Sequence, residues 1–223
     1  MLDFWESKFK SEGALWNFYP SDSAIEAVNI FKTNNFKKIL IPGIGYGRNA
    51  RLFLENEFKV TGIEISKSAS DLANSNGINC KIYHGSVTSM PFDNEIYDGI
   101  FCYALIHVLN QFERRRFLKA CFNQLKINGL MIFVNASVHN SMFGSGRLLS
   151  KNRFEVSKGL QVFFYDRNSI ENEFMPFGMT EYKEIDEPVK FMNGQPPIKM
   201  YQVICKKISE DETAEMYNAK EPQ

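Results

Sequence analysis

Apolar residues recur along the chain in two alternating rhythms. Short apolar runs at 38–41, 58–63, 79–83, 96–102 and 130–135 read as strands, the first stopping at Pro42. Between them lie segments of helical period. Ser21-Asp22-Ser23 opens the first, with Ile25, Val28, Ile30 and Phe31 roughly on one face. Residues 49–56 turn Leu52 and Phe53 toward the sheet. Ser66 caps a helix that Gly77 ends. Residues 111–126 place Leu118, Cys121, Phe122 and Leu125 at i, i+3, i+4 and i+7. Asn128-Gly129 reads as a tight turn into the fifth strand. This alternation predicts an α/β sheet with helices on its faces.

The rhythm breaks after the fifth strand. Residues 137–165 are mixed, with Gly144, Gly146 and Gly159. A connection that long inside a compact domain is usually a lid or a binding segment. A short helix from about 168 and strands at 180–185 and 199–206 complete the sheet. Pro188, Gly194 and Pro196-Pro197 between the last two strands predict an antiparallel ribbon with a long loop. The expected organisation is an aromatic cap over 1–20 and a main domain over 21–208, with a substrate-side insert at 137–167. An acidic tail, 209–223, is expected to be disordered because it has little apolar surface to bury.

Composition narrows the class. The chain has 223 residues, 44% hydrophobic and 23% charged, which is ordinary for a globular protein. Lys and Arg number 26 and so do Asp and Glu, for a net charge of zero. The tail holds five acids and one lysine, so the remainder is +4, too weak a footprint for a nucleic-acid binder. Arg114-Arg115-Arg116 follows Glu113 in a helical pattern and reads as a solvated face. No apolar run approaches the roughly 18 residues of a membrane span. The acidic N-terminus does not read as a secretory signal. Four scattered cysteines, with no C-x-x-C pair, fit a reducing compartment and give neither a zinc site nor a disulfide framework. The expected setting is cytoplasmic, without membrane or nucleic-acid partners, as a monomer or homodimer.

The sharpest motif is Ile41-Pro42-Gly43-Ile44-Gly45-Tyr46-Gly47-Arg48-Asn49, a strand passing through glycines into a helix. Such a turn aims free backbone N–H groups at a ligand. Glu64 closes the second strand, where a carboxylate can accept both hydroxyls of a ribose. The bland alternative is a tight turn with a surface Glu64. A dinucleotide fingerprint would need glycine at position 48, where this chain has Arg48, so a nicotinamide-dependent oxidoreductase is disfavoured.

The G-x-G-x-G loop resembles that of the class I S-adenosylmethionine-dependent methyltransferases. Tyr97-Asp98, Cys102 to Leu109 and Leu125 to Leu130 are also similar to that family. The Pro-Gly-x-Gly form and the aromatic N-terminus look like the branch acting on thiols, thiopurines and halides. The resemblance implies a Rossmann-like, mostly parallel sheet of seven strands, the last antiparallel, with helices on both faces. It implies S-adenosylmethionine as cofactor, held by Gly43, Ile44, Gly45, Gly47, Arg48, Asn49, Glu64, Ile65, Ser86, Val87 and Tyr103. Two positions depart from the family: Ile41 and Ser86 stand where acids are usual. Loss of those acids leaves open a protein that binds the cofactor without turnover.

Methyl transfer is an in-line displacement that rests mainly on orientation, worth roughly 7–11 kcal/mol. A general base is needed only for a protonated nucleophile of high pKa. His84, His107 and His139 fall at or past the carboxyl ends of predicted strands. His107 is best placed for a catalytic role, although a histidine satisfied by backbone near a helix start is the commoner use. No metal site is expected. Trp5, Trp16, Tyr19, His139 and Phe143 are candidate substrate contacts from the cap and the insert. Trp5, Trp16 and Tyr19 equally fit a helix that covers the sheet edge, and Phe143 a local cluster under a loop. The predicted substrate is a small molecule.

Overall fold

The computed structural model describes residues 2–190 and 194–209. Its helices are α1 (Leu2–Glu12), α2 (Asp22–Thr33), α3 (Arg48–Glu55), α4 (Lys67–Ser75), α5 (Gln111–Gln124) and α6 (Arg167–Phe174). The strands are β1 (Lys38–Pro42), β2 (Lys59–Glu64), β3 (Lys81–His84), β4 (Tyr97–Tyr103), β5 (Leu125–Ala136), β6 (Arg147–Ser150), β7 (Arg153–Ser157), β8 (Leu160–Phe163), β9 (Met179–Glu187) and β10 (Ile198–Lys206). Seven strands form one sheet in the order β3-β2-β1-β4-β5-β10-β9. β1 to β5 run parallel, and β10 is antiparallel to both β5 and β9. This is a Rossmann-like, mostly parallel sheet of seven strands with its last strand antiparallel, as the resemblance implied.

Side-chain alternation explains the layers. Leu40, Ile100, Cys102 and Phe133 face α5 and α6, meeting Phe117, Leu118, Cys121 and Phe174. Ile39, Ile41, Phe101 and Ile132 face the other way, toward Val28, Phe31 and Phe53 of α2 and α3. Both faces of the central strands are covered, so those strands read as continuous apolar runs. Ser21 and Ser66 cap α2 and α4 by accepting from Ala24 N and Ala69 N. Ile25 is exposed, and Ala24 and Ala27 take the buried face of α2 instead.

Three details differ from the sequence reading. The fifth strand begins at Leu125, and Asn128 (φ 64°) sits inside it, so the expected tight turn is a kink within one strand. The insert is no open loop: β6, β7 and β8 form a separate antiparallel sheet. Its strands are short and half-exposed, which erases the alternation that announces a strand. Arg114 is buried and bonds Glu173 at 2.7 Å, with its guanidinium 4.2 Å over the Phe163 ring. Only Arg115 and Arg116 form the expected solvated face. The acidic tail beyond Ser209 lies outside the described residues. Among the described residues no helix is long and apolar enough to cross a membrane.

Candidate functional site

β1 ends at Pro42, and the chain then turns through Gly43, Gly45 and Gly47, all at positive φ, into α3. Gly47 is the left-handed N-cap of α3, where a Cβ would lie 2.5 Å from Ile78 Cγ1, so only glycine fits. A Cβ on Gly45 would meet nothing closer than Phe9 Cζ at 4.0 Å, which leaves its backbone bare to open space.

Glu64 ends β2 beneath this loop and is 6% exposed. Its Oε2 accepts from Gly45 N and its Oε1 from Ser66 N, both at 2.8 Å. Burial pushes the Glu64 carboxyl above its ordinary range, and backbone donors, Ser66 N first, only partly offset that push. The acid therefore ties the glycine loop to the turn before α4. Each oxygen keeps a second lone pair for a hydroxyl.

A cavity of about 330 Å³ opens over the carboxyl ends of β1 to β5. That edge is where ligands bind in parallel α/β sheets. Gly43, Ile44, Gly45, Arg48, Asn49, Glu64, Ile65, Ser86, Val87 and Tyr103 line one end. Arg48 sits 5.3 Å over the Tyr103 ring and has no carboxylate partner among the described residues. Ser86 Oγ accepts from Thr88 N and lies 2.8 Å from Thr88 Oγ1. His107, Val108, Ala136, Leu160, Val162 and Phe164 form the other end.

The N-terminal segment roofs the cavity. Trp5, Phe9 and Trp16 reach its wall. Trp16 stacks on Tyr46 at 6.4 Å and 15°. The Tyr46 hydroxyl accepts from Trp16 N and donates to Asn17 O. Glu6 Oε1 accepts from Ser68 Oγ at 2.6 Å, and its Oε2 accepts from Ser66 Oγ at 2.8 Å. Those hydroxyl bonds, Ser68 first, hold the Glu6 carboxyl down to about 2.

His107 sits in a 3-10 turn after β4 and is 8% exposed. Its Nδ1 accepts from Ala136 N at 3.1 Å, and burial pushes the imidazole down to about 4. Burial thus favours the neutral imidazole.

Four expected contacts stand apart from the cavity wall. Gly47 supports the loop from behind, and Tyr19 is 62% exposed. His139 bonds Glu184 at 2.8 Å through Nδ1, outside the wall. Phe143 packs against Phe154 and Phe164, and only Phe164 reaches the cavity. Wall residues that the sequence reading missed include Phe9, Tyr46, Leu105, Asn140 and Met142. Tyr46 was legible as the variable position of the glycine loop. The others carry no local signal. Among the described residues no group of three His, Cys, Asp or Glu side chains is placed to hold a metal.

Comparison with known proteins agrees with this geometry. Residues 39–129 match the family model of a methyltransferase domain. No curated protein matches the sequence. Among solved structures, a Clostridium acetobutylicum S-adenosylmethionine-dependent methyltransferase aligns with a TM-score of 0.66 at 13% identity, covering 93% of this chain and 98% of its own. A Burkholderia thailandensis 1,6-didemethyltoxoflavin-N1-methyltransferase, solved with S-adenosylhomocysteine, aligns at 0.69 and 14%, covering 93% and 87%. A protein solved in work on the conversion of a disulfide bond into a thioacetal during echinomycin biosynthesis aligns at 0.72 and 13%, covering 98% of each chain. Residues 39–129 thus match a methyltransferase domain, and the chain has the fold seen in S-adenosylmethionine-dependent methyltransferases. The matched segment is that of methyl-transfer enzymes, and S-adenosylmethionine is the cofactor in the names of two of the solved structures.

Proposed function

We propose that the protein methylates an apolar small molecule inside the roofed cavity. The observation that carries this reading is the cavity's two-ended chemistry: bare backbone and Glu64 at one end, aliphatic and aromatic walls at the other. The bare Gly45 backbone and the spare lone pairs of Glu64 fit an amino-acid chain and a ribose. Gly43, Ile44, Gly45 and Asn49 would cradle the cofactor's amino-acid part, with Arg48 and Tyr103 at its carboxylate. Glu64 would take the ribose hydroxyls. Ile65, Ser86 and Val87 would flank the adenine, with the Ser86 hydroxyl replacing the acid usual there. When bound, the cofactor supplies a methyl group on an electrophilic sulfonium. The chain's own task is to orient the acceptor and exclude water, which Trp5, Trp16 and the β6–β8 sheet do from above.

One structural neighbour is named for N1 methylation of 1,6-didemethyltoxoflavin, a small molecule, and was solved with it bound. Isothermal titration with S-adenosylhomocysteine tests the cofactor end. We expect saturable binding, weakened about 10–100-fold by Glu64→Ala through loss of charge-assisted hydrogen bonds. Absence of heat at millimolar ligand defeats the reading.

A further inference from the structure

The apolar end of the cavity reaches the surface along the insert. Leu160 and Val162 on β8 line the wall, so one face of the β6–β8 sheet is turned toward the cavity. Directly opposed residues of an antiparallel sheet share a face. Phe154 on β7 opposes Val162, and Leu148 on β6 opposes Phe154. The row Val162, Phe154, Leu148 therefore carries the wall outward across three strands, about 10 Å at two strand spacings. Exposure rises along it: Val162 is buried, Phe154 half-buried and Leu148 63% exposed.

A second apolar line runs into that row. Met142 lines the cavity yet is 44% exposed, so the wall meets solvent there. Phe143 beside it is also exposed, and its ring packs edge-on against Phe154 at 5.3 Å. The turn that carries this pair is fixed. Asn140 Oδ1 accepts from Met142 N at 2.9 Å, and Asn140 Nδ2 donates to Lys199 O on β10 at 3.2 Å. Gly146 (φ 79°) lets β6 start close against β7, because a Cβ there would lie 2.1 Å from Glu155 O. Arg147 and Glu155 pair with each other on the opposite face of the sheet. Three large exposed apolar side chains thus border one strip that is continuous with the cavity, whereas singly scattered ones would need no explanation. The free edge of β6 is four residues long, and Arg147 and Lys151 flank it, which discourages strand pairing with a second copy.

We propose that this strip seats an alkyl tail, and that the methyl acceptor is an amphiphile. Its head lies in the cavity at the His107 end, and its hydrocarbon chain leaves over Val162, Phe154 and Leu148. This rests on the methyl-transfer reading of the same cavity. A tail on the strip would cover side chains that otherwise face water, and each methylene laid there adds affinity. The strip is half-open, so the chain keeps part of its own surface in water and the gain is about 2–4-fold per methylene. The strip selects the tail and is indifferent to which atom of the head is methylated.

Calorimetric binding of 4-ethylphenol, 4-butylphenol and 4-octylphenol, each with and without S-adenosylhomocysteine, tests this. Wild-type affinity should keep rising through octyl, by about 2–4-fold per methylene. Leu148→Asp changes an exposed position and should cost octylphenol about 10-fold or more, while ethylphenol, too short to reach β6, binds as before. Leu148→Ala should fall between. Affinity that levels off at butyl, or an octyl gain that survives Leu148→Asp, overturns the proposal. So does a wild-type dimer in sedimentation velocity that Leu148→Asp dissociates, which would make the strip an interface between copies. Flotation with phosphatidylglycerol vesicles that Leu148→Asp abolishes, without any chain-length gain, would make it a lipid-docking edge and equally overturns it. Absence of S-adenosylhomocysteine binding in the wild-type protein would instead remove the underlying methyl-transfer reading, which the chain-length series in ligand-free protein does not test.

Discussion

The His107 imidazole has a consequence for stability as well as for chemistry. In the folded protein it titrates at about 4, against an ordinary 6.5 when unfolded. As pH falls below about 6.5 the unfolded chain takes up a proton that the folded chain refuses, so stability drains away down to about pH 4. Its full size is on the order of 3 kcal/mol. Thermal unfolding followed between pH 7.5 and 4 should show this loss, and the stability of wild type relative to His107→Gln should fall as pH falls. Chain spacing placed His107 past the carboxyl end of β4. It could not reveal that a backbone N–H 29 residues away would occupy Nδ1. Glu64 was legible for the opposite reason: its position depends on strand length and loop length alone, both written locally.

At the scale of elements, period and punctuation sufficed for the parallel core. β1, β2 and β4 are largely buried runs, and Ser21 and Ser66 cap helices where expected. The β6–β8 sheet escaped because its strands are four or five residues long and half-exposed. Arg114 escaped because an arginine in a charged run looks solvated, whereas its partner Glu173 lies on α6, far along the chain. That pair joins α5 to α6 under the Phe163 and Tyr165 rings. Removing one partner strands the other charge in the interior. Arg114→Ala should therefore lower the unfolding free energy by about 3–5 kcal/mol, read from urea denaturation, with Arg115→Ala as a near-silent control.

Across the whole molecule, the cavity is a joint product of distant segments. Its floor comes from the carboxyl edge of the sheet, its far wall from the insert, and its roof from the N-terminal helix. The roof is fastened at two points: Glu6 on Ser66 and Ser68 at the start of α4, and Trp16 on Tyr46 in the glycine loop. Both lie beside the proposed cofactor end, so the roof and the cofactor would share supports. Glu6→Ala should speed hydrogen exchange in residues 2–16 and raise the dissociation rate of S-adenosylhomocysteine, leaving exchange in β4 and β5 unchanged. The chain has two tryptophans, Trp5 and Trp16, and both are in that roof, their rings 6.3 Å apart. The intrinsic indole emission of the protein consequently arises from the roof alone, so a ligand seated beneath it should be followed optically without a label.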